Sequence, residues 1–405
     1  MKAIERYIEE RQDHSNPVCA YVYDLTRLEK HAGMIKETLP DFCSFFYAMK
    51  ANPDRHLLKT LAPIIDGFDV ASGGEIAKAA AYGKPMVFGA PGKKQSEIEI
   101  ALEEGVRYIN VESTHDWDRI AHLAEEKGIS IPVLLRVNLS SDVPESHHMM
   151  SGVPSQFGMS EEDVAACIKQ SEKESRVSIA GFHFHAMSNN LDAEAHVRFV
   201  QLCVEKADDW RRRYGLKASI IDIGGGIGIN YWNPEEPFDW KAFAAGMHRL
   251  DPEGWTLILE IGRYLTAASG YYVTEVLDVK ENHGQWFAVV RGGTHHLRLP
   301  AAWKMSHPFR IHPVESWPYP FKRPGVEKGN VTIAGELCTP NDVLVRGDYV
   351  DNLRAGDIVI FEYAGAYAWT ISHHDFLSHP HPEHVYVRDG EVLAQEDAGT
   401  LPREK

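Results

Sequence analysis

The sequence predicts an α/β protein in which a (β/α)8 TIM barrel is joined to a second, β-rich domain. Two observations predict this architecture. Eight short apolar runs alternate with segments of helical character between residues 42 and 264, and alternating runs separated by Gly, Asn and Asp turns follow after about residue 270. A length of 405 residues is enough for a barrel of about 250 residues and a second domain. We therefore expect the barrel at 26–270 and the β-rich domain at 1–25 plus 271–405.

The barrel strands are predicted from apolar or β-branched runs that are too short for helices. In chain order these runs are 42–49, 68–71, 86–89, 108–111, 133–137, 179–185, 219–223 and 256–261. Segments such as GGEIAKAAAYGK and HDWDRIAHLAEEKG lie between them and are long enough for helices that cross between parallel strands. The strand VCAYVYDL precedes the barrel pattern and is compatible with either domain.

Composition and charge limit the class of protein. The hydrophobic fraction of 44% is ordinary, and no apolar stretch approaches the roughly 20 residues that span a bilayer. Because the charged N-terminus has no signal-peptide core, we predict a cytoplasmic protein that does not bind membranes. The net charge of −16 disfavours nucleic acid as a partner. The five scattered cysteines predict reduced thiols and no CxxC metal site.

Several polar residues lie just after predicted strands. The carboxyl ends of barrel strands meet at one mouth, which is where active sites lie. The residues at these positions are Lys50, Arg136, His185, Gly224, Gly225, Gly226, Glu260 and Arg263. Taken alone, Lys50 would be interpreted as a solvated residue at a strand end. Glu260 alone would be interpreted as the partner of Arg263 in a structural ion pair. Their common location favours a shared site.

Together these residues suit pyridoxal phosphate (PLP). A partly desolvated Lys50 would favour the neutral amine that forms imines. Backbone N–H groups of the three glycines at 224–226, with Arg263 nearby, suit a phosphate. Glu260 could keep a pyridine nitrogen protonated, so that the ring accepts electrons from a carbanion.

Seven motifs occur in the order and spacing of the fold type III PLP decarboxylases, which resemble alanine racemase in fold. They are FYAMKANPD, FDVASGGEI, GFHFHAMSN, DIGGGIGINY, LEIGRYL, GELCTPNDVL and AGAYAWT, between about residues 18 and 375. The family includes diaminopimelate, ornithine and arginine decarboxylases, which are typically homodimers. The resemblance implies a PLP-dependent decarboxylase of L-amino acids, a carboxy-lyase. Glu260 disfavours a racemase, because alanine racemases place an arginine opposite the ring nitrogen.

The resemblance also implies roles for the matched residues. Lys50 would form a Schiff base with PLP, His185 would lie against the pyridine ring, and Glu260 would face its nitrogen. Cys338 would reach the partner subunit's site and return a proton to the carbanion, so that the active sites of a homodimer are shared. The implied cofactor-binding residues are Lys50, Asp69, Glu75, Arg136, His185, Ser188, Gly224, Gly225, Gly226, Glu260, Gly262, Arg263 and Tyr367.

One departure from the family pattern bears on the substrate. Diaminopimelate and ornithine decarboxylases follow the cysteine with an acidic residue that receives a distal amine, and this chain has Thr339 there. Basic residues also gather at 291–313, which favours binding of carboxylates. The chain resembles the branch of the family that decarboxylates citryl-amino acids in carboxylate siderophore biosynthesis. The predicted substrate contacts are Arg298, His295, His296, Asp342 and Thr339.

Three alternatives to this function stay open. The first two are a diaminopimelate decarboxylase and a decarboxylase of a carrier-bound amino acid, and the third is a non-catalytic regulator that keeps the fold without PLP. The His-rich stretch at 373–384 has no cysteine and contains prolines, so no metal site is predicted there. The predicted partners are a small polycarboxylate amino acid and a second copy of the chain.

Overall fold

A computed structural model describes residues 2–11, 16–139, 148–149, 154–173 and 176–397. The chain divides into two compact units. The barrel unit comprises Glu29–Asn230 and Glu236–Leu265, and the sheet unit comprises Met1–Leu28, Tyr231–Glu235 and Thr266–Lys405. The predicted domain bounds of 26–270 and 1–25 plus 271–405 stay a prediction. None of the helices in the described ranges has the length and apolar character needed to cross a membrane.

The described chain contains strands and helices of ordinary length. The strands are β1 Cys19–Asp24, β2 Cys43–Ala48, β3 Gly67–Val70, β4 Met86–Phe88, β5 Tyr108–Val111, β6 Ile131–Arg136, β7 His148–Met149, β8 Val177–His183, β9 Met187–Ser188, β10 Ile220–Asp222, β11 Thr256–Ile261, β12 Gly270–Asn282, β13 Gln285–Val290, β14 Phe309–His312, β15 Gly325–Ala334, β16 Val343–Arg354, β17 Ile358–Phe361, β18 Glu383–Arg388 and β19 Glu391–Asp397. The helices are α1 Lys2–Arg11, α2 Leu25–Thr38, α3 Arg55–Leu61, α4 Gly73–Ala80, α5 Gln95–Glu103, α6 Thr114–Lys127, α7 Glu161–Ser171, α8 Ala193–Tyr214, α9 Trp240–Met247, α10 Arg263–Thr266 and α11 Leu299–Trp303.

The barrel unit contains a closed barrel of parallel strands, which confirms the predicted fold class. The strand order around the barrel is β10-β11-β2-β3-β4-β5-β6-β8. Each predicted run corresponds to one of these strands, with ends that differ by at most about two residues, the usual uncertainty of strand boundaries. The runs at 108–111 and 256–261 coincide with β5 and β11.

Helix caps fix the turns that leave the barrel strands. The Ser72 hydroxyl accepts a hydrogen bond from the Glu75 backbone N–H at 3.2 Å and begins α4. Asp54 begins α3 in the same way, with its carboxylate accepting from His56 N–H at 2.8 Å. These caps hold the segments that follow β2 and β3, which carry several of the predicted site residues.

The sheet unit contains a nine-stranded sheet with the main order β16-β15-β13-β12-β1-β18-β19. The N-terminal strand β1 lies inside this sheet, antiparallel to β12 and parallel to β18. Its residue Val22 is packed with Val273, Ile360 and Val385 in a buried apolar cluster. The strand VCAYVYDL, which the sequence left compatible with either domain, therefore belongs to the β-rich unit.

Candidate active site

Polar side chains gather at the carboxyl ends of the barrel strands. Lys50 lies in a short 3-10 turn just after β2, and Asp69 lies near the end of β3. Glu260 lies in β11, which is hydrogen-bonded to β2 in the register that pairs Glu260 with Phe46. Because the strands are parallel, these residues share one rim of the barrel.

Lys50 contacts the carboxylates of this rim. Its Nζ donates to Asp69 Oδ2 at 2.9 Å and lies 3.9 Å from Glu260 Oε2. The Lys50 side chain is 39% exposed, so its desolvation is only partial and its amine stays accessible. Burial raises the pKa of Asp69 to about 7, helped by the negative charge of Glu260 and opposed by Lys50.

Glu260 is the buried centre of the cluster. Its carboxylate lies 3.3 Å from His185 Nδ1 and 3.8 Å from His183 Nε2. Burial alone would raise the pKa of Glu260, but the positive charge of Lys50 and the polar contact with His185 outweigh it and hold the pKa well below its usual range. Burial lowers the pKa values of both histidines, which favours their neutral forms. The rim therefore holds a charged carboxylate beside neutral imidazoles.

The glycines after β10 leave room beside these groups. A Cβ on Gly224 would lie 2.3 Å from His185 Nδ1, and one on Gly225 would lie 2.1 Å from the Glu260 carbonyl oxygen. Gly224 and Gly226 also have positive φ angles of 67° and 90°. The Gly224 N–H donates to Asp222 Oδ1 at 2.9 Å, which holds the start of the loop. The Gly225 N–H donates to His185 Nδ1 at 3.3 Å. Only glycine fits this backbone, so a ligand can approach the loop closely.

Other predicted cofactor residues have structural partners. Arg136 donates to Glu112 Oε1 at 2.7 Å and lies 4.8 Å over the Phe157 ring. Glu75 accepts from the Ala71 N–H at 2.8 Å and closes the turn before α4. These contacts indicate that Arg136 and Glu75 stabilise the rim. Their contacts with the cofactor stay a prediction.

Three further predicted residues lie on segments next to the glycine loop or β11. Ser188 is in β9, and its neighbour Met187 packs near Gly226. Gly262 follows β11, where a Cβ would lie 3.1 Å from Ala51. Arg263 begins α10 and is buried. The barrel unit thus brings together the lysine, the glutamate, the glycine loop and the buried arginine.

The remaining predicted residues belong to the sheet unit. Cys338 is exposed, unlike the other four cysteines, and Thr339 follows it. Tyr367 is partly exposed and has a positive φ of 49°. Arg298 is exposed just before α11. The predicted roles of these residues in binding the cofactor or the substrate stay predictions.

The residues of the basic segment at 291–313 lie in different environments, and their substrate contacts stay predictions. His295 and His296 have no exposed area, and burial lowers the pKa of His295 to about 3. Asp342 is also buried and accepts from the N–H groups of Thr294 at 2.6 Å and Leu337 at 2.9 Å. These contacts favour a structural role for Asp342. Of the predicted substrate contacts, Arg298 is the exposed cation.

Sequence reasoning missed His183, Asp222 and Glu112. His183 lies two residues before His185, and this spacing places both on one face of an extended segment, a signal present in GFHFH. Burial and repulsion by Glu260 raise the pKa of Asp222 well above its usual range, which favours its neutral form. Glu112 has no signal in the sequence, because only the fold shows its pairing with Arg136.

The family model for the pyridoxal binding domain of pyridoxal-dependent decarboxylases matches residues 25–267, which include the whole cluster. The chain belongs to this decarboxylase family. A 2-[(L-alanin-3-ylcarbamoyl)methyl]-2-hydroxybutanedioate decarboxylase of Staphylococcus aureus is 44% identical over 96% of this chain and 98% of that protein. A diaminopimelate decarboxylase of Helicobacter pylori is 30% identical over 89% of this chain and 88% of that protein.

A solved structure shows the same fold. The diaminopimelate decarboxylase from Helicobacter pylori complexed with L-lysine is 27% identical, with a TM-score of 0.83 over 96% of this chain and 95% of that chain. The decarboxylase described here is therefore an enzyme of the PLP-dependent class, which acts on a small molecule. The family match therefore does not support the alternative of a non-catalytic regulator.

The residues of the rim fit PLP. Both ring nitrogens of His183 and Glu260 Oε1 are buried without a hydrogen-bond partner among the described residues, so polar atoms are available to a ligand. The ligand atoms of His183, His185 and Glu260 lie within 4.8 Å of one another, a spacing that a metal ion could also use. We attribute this cluster to PLP because the nearby Lys50 ammonium would repel a metal cation.

Proposed function

We propose that this decarboxylase acts on a citryl-amino acid such as citryl-diaminopropionate, in carboxylate siderophore biosynthesis. The observation that carries the proposal is the 44% identity, over nearly the full length of both chains, to the Staphylococcus aureus enzyme. The substrate in that enzyme's name is L-2,3-diaminopropionate joined to citrate through an amide. Thr339 supports the proposal, since a buried distal ammonium without a carboxylate would be costly.

In this proposal several groups of the barrel rim would hold PLP. The Lys50 amine would bind the cofactor covalently, and Glu260 would accept a hydrogen bond from its pyridine nitrogen. The N–H groups of Gly225 and Gly226, with Arg263, hold the phosphate. Ser188 would add a hydroxyl to the phosphate.

Bound PLP withdraws electrons from the substrate Cα and so favours loss of CO2. The chain supplies position and charge for this reaction. The low pKa of Glu260 keeps a carboxylate at the ring nitrogen, and that negative charge stabilises the protonated ring. A neutral His185 would lie against one face of the ring and would exclude water there without adding a competing cation.

We also propose a homodimer in which Cys338 enters the partner's site and returns a proton to Cα. Its support is the exposure of Cys338, while the other four cysteines are buried. An exposed thiol can move a proton to a substrate, whereas a buried one cannot reach it. The free state of all five thiols supports a cytoplasmic location.

A subunit-mixing experiment tests the shared site. Lys50→Ala and Cys338→Ala chains are each expected to be nearly inactive as homodimers. Mixed dimers should regain activity, because one of their two sites contains both native residues. The measurement is CO2 release after mixing, with dimer exchange followed by differently tagged chains. Exchange without any recovery of activity would show that Lys50 and Cys338 of one site come from the same subunit.

A substrate panel tests the citryl assignment. We expect faster CO2 release from citryl-diaminopropionate than from diaminopimelate, ornithine, lysine or a carrier-bound glutamate, measured side by side. Arg298→Ala should raise KM for the citryl substrate about tenfold, because an exposed Arg298 can form charge-assisted hydrogen bonds to a carboxylate. The exposed Arg249 of the barrel unit provides the control variant, Arg249→Ala, which should leave KM unchanged. Preference for a free diamino acid would contradict the citryl assignment while leaving the PLP chemistry in place.

A further inference from the structure

Asp222 is a buried carboxyl group that the proposed catalytic roles do not use. It ends β10 and has no exposed area. Its strand lies between β8 and β11 in the closed barrel, so Asp222 is paired in register with His183 on one side and with Ile258 on the other. A carboxyl group in such a position needs hydrogen-bond partners for both of its oxygens.

Asp222 and Glu260 lie at neighbouring positions on the interior face of the barrel. Ile258 belongs to a buried apolar cluster whose members come from five strands of the closed barrel, and Ile220 packs against it. Side chains two residues apart on a strand share a face. Glu260 therefore faces the interior like Ile258, and Asp222 faces it like Ile220.

The glycine loop uses one oxygen of Asp222. Asp222 Oδ1 accepts a hydrogen bond from the Gly224 N–H at 2.9 Å. The Gly224 carbonyl oxygen in turn accepts from the Glu260 backbone N–H at 2.9 Å. Gly224 therefore links the ends of the two strands that carry the carboxyl groups.

The other oxygen of Asp222 and one oxygen of Glu260 lack the same kind of partner. Asp222 Oδ2 and Glu260 Oε1 are both buried, and neither has a hydrogen-bond partner among the described residues. His183 Nε2 lies 3.8 Å from Glu260 Oε1, which is too long for a hydrogen bond. Two ionised carboxylates can only accept, whereas a single proton on Asp222 would satisfy both atoms at once.

The charges around the pair favour a proton on Asp222. Burial, the negative charges of Glu260 and Asp69, and a side-chain hydrogen bond to Glu260 all raise the pKa of Asp222, and they outweigh the Gly224 N–H. Glu260 differs because its Oε2 lies 3.9 Å from the Lys50 ammonium, which favours the anion. Of the two carboxyl groups, Asp222 is therefore the acid and Glu260 the base.

We infer that Asp222 is a positioning residue that donates a hydrogen bond from its carboxyl group to Glu260 Oε1 and so keeps Glu260 an anion. The inference rests on the proposed function, in which Glu260 faces the ring nitrogen of PLP. A carboxylate that accepts a hydrogen bond is a weaker base, so a proton on the ring nitrogen has less tendency to move to Glu260. Glu260 keeps other acceptor positions for that nitrogen. Because Asp222 also holds Gly224, it connects the carboxylate at the ring with the loop at the phosphate.

Infrared difference spectroscopy of the PLP-loaded enzyme tests for the proton. A protonated carboxyl group has a C=O stretching band distinct from the bands of carboxylates, and we expect that band to be lost in Asp222→Asn. Asp192→Asn is the matched control, because Asp192 also accepts a backbone N–H at 2.9 Å but is exposed, and asparagine is an equally good helix cap. The band should stay in this control. Asp69, with a pKa of about 7, is common to all three proteins and cancels in the difference spectra.

Asp222→Ala tests the positioning role. Loss of a hydrogen bond to a charged group should lower kcat about 10- to 100-fold without loss of bound PLP. Asp222→Asn should restore most of the native rate, because its amide can donate to Glu260 while its carbonyl oxygen accepts from the Gly224 N–H. The rate is measured with the preferred substrate of the panel, and the melting temperature shows that the variants fold. If the alanine variant does not fold, the infrared comparison of native and Asp222→Asn enzymes still decides whether the proton is present.

Two results would overturn the inference. One is identical infrared spectra of the native and Asp222→Asn enzymes, and the other is a native kcat in a folded Asp222→Ala enzyme. Failure of the proposed function alone would look different. In that case Glu260→Gln would keep the native kcat, whereas the carboxyl band would still be lost in Asp222→Asn.

Discussion

Replacing Lys50 by alanine is expected to lower the rate of CO2 release by about 10⁴-fold or more and to abolish the visible absorbance of bound PLP. Losses of this size are typical when a group that forms a covalent bond in catalysis is removed. The fold should persist, because the Lys50 side chain is 39% exposed. The measurements are the absorbance spectrum, kcat, and the melting temperature of the purified variant.

Two companion variants separate the covalent role of Lys50 from its charge. Lys50→Arg keeps a cation beside Asp69 and Glu260 but presents no primary amine, so it should be as inactive as the alanine variant. Lys59→Ala removes an exposed lysine of α3 and should behave like the native enzyme. Normal turnover by Lys50→Arg would mean that only the charge at this position matters and that the cofactor is bound elsewhere.

Replacing Glu260 by glutamine is expected to lower kcat by about 10²–10³-fold, the usual effect of removing one preorganised electrostatic group from an active site. Glutamine keeps the size of the side chain but has no negative charge to keep the pyridine nitrogen protonated. PLP absorbance should remain, since Lys50 still provides the amine. The measurement is kcat at saturating substrate, corrected for the PLP content of each preparation.

Asp222→Asn provides the contrast to Glu260→Gln. Both carboxyl groups are buried at the same rim, but the raised pKa of Asp222 favours a neutral acid, so asparagine changes its charge little. A much smaller loss of kcat is therefore expected for Asp222→Asn. Equal losses in the two variants would show that buried polar packing, rather than the charge of Glu260, determines the rate.

The strands of the barrel were predictable from sequence because their apolar runs are short and alternate with helical segments. Lys50, Glu260 and the glycines at 224–226 could be placed at one rim because each follows or ends such a run. The pairing of Arg136 with Glu112 could not be predicted, since it joins two different strand ends in space. The surroundings of the basic residues at 291–313 could not be predicted for a related reason, because the fold buries His295 and His296 and leaves Arg298 and Lys304 exposed.

The position of β1 in the middle of the nine-stranded sheet has a consequence for the order of folding. Ala20 pairs with Val273 of β12 and with Glu383 of β18, so both partners are synthesised after the barrel segment. During translation the N-terminal strand is therefore expected to stay unpaired while the barrel segment, which is synthesised earlier than β12 and β18, can already fold. Its pairing with β18 also has to overcome the entropy of closing a very long loop. Assembly of the sheet is thus expected to be a late event. Until the sheet forms, the unpaired hydrogen-bonding groups of β1 can pair wrongly with another nascent chain.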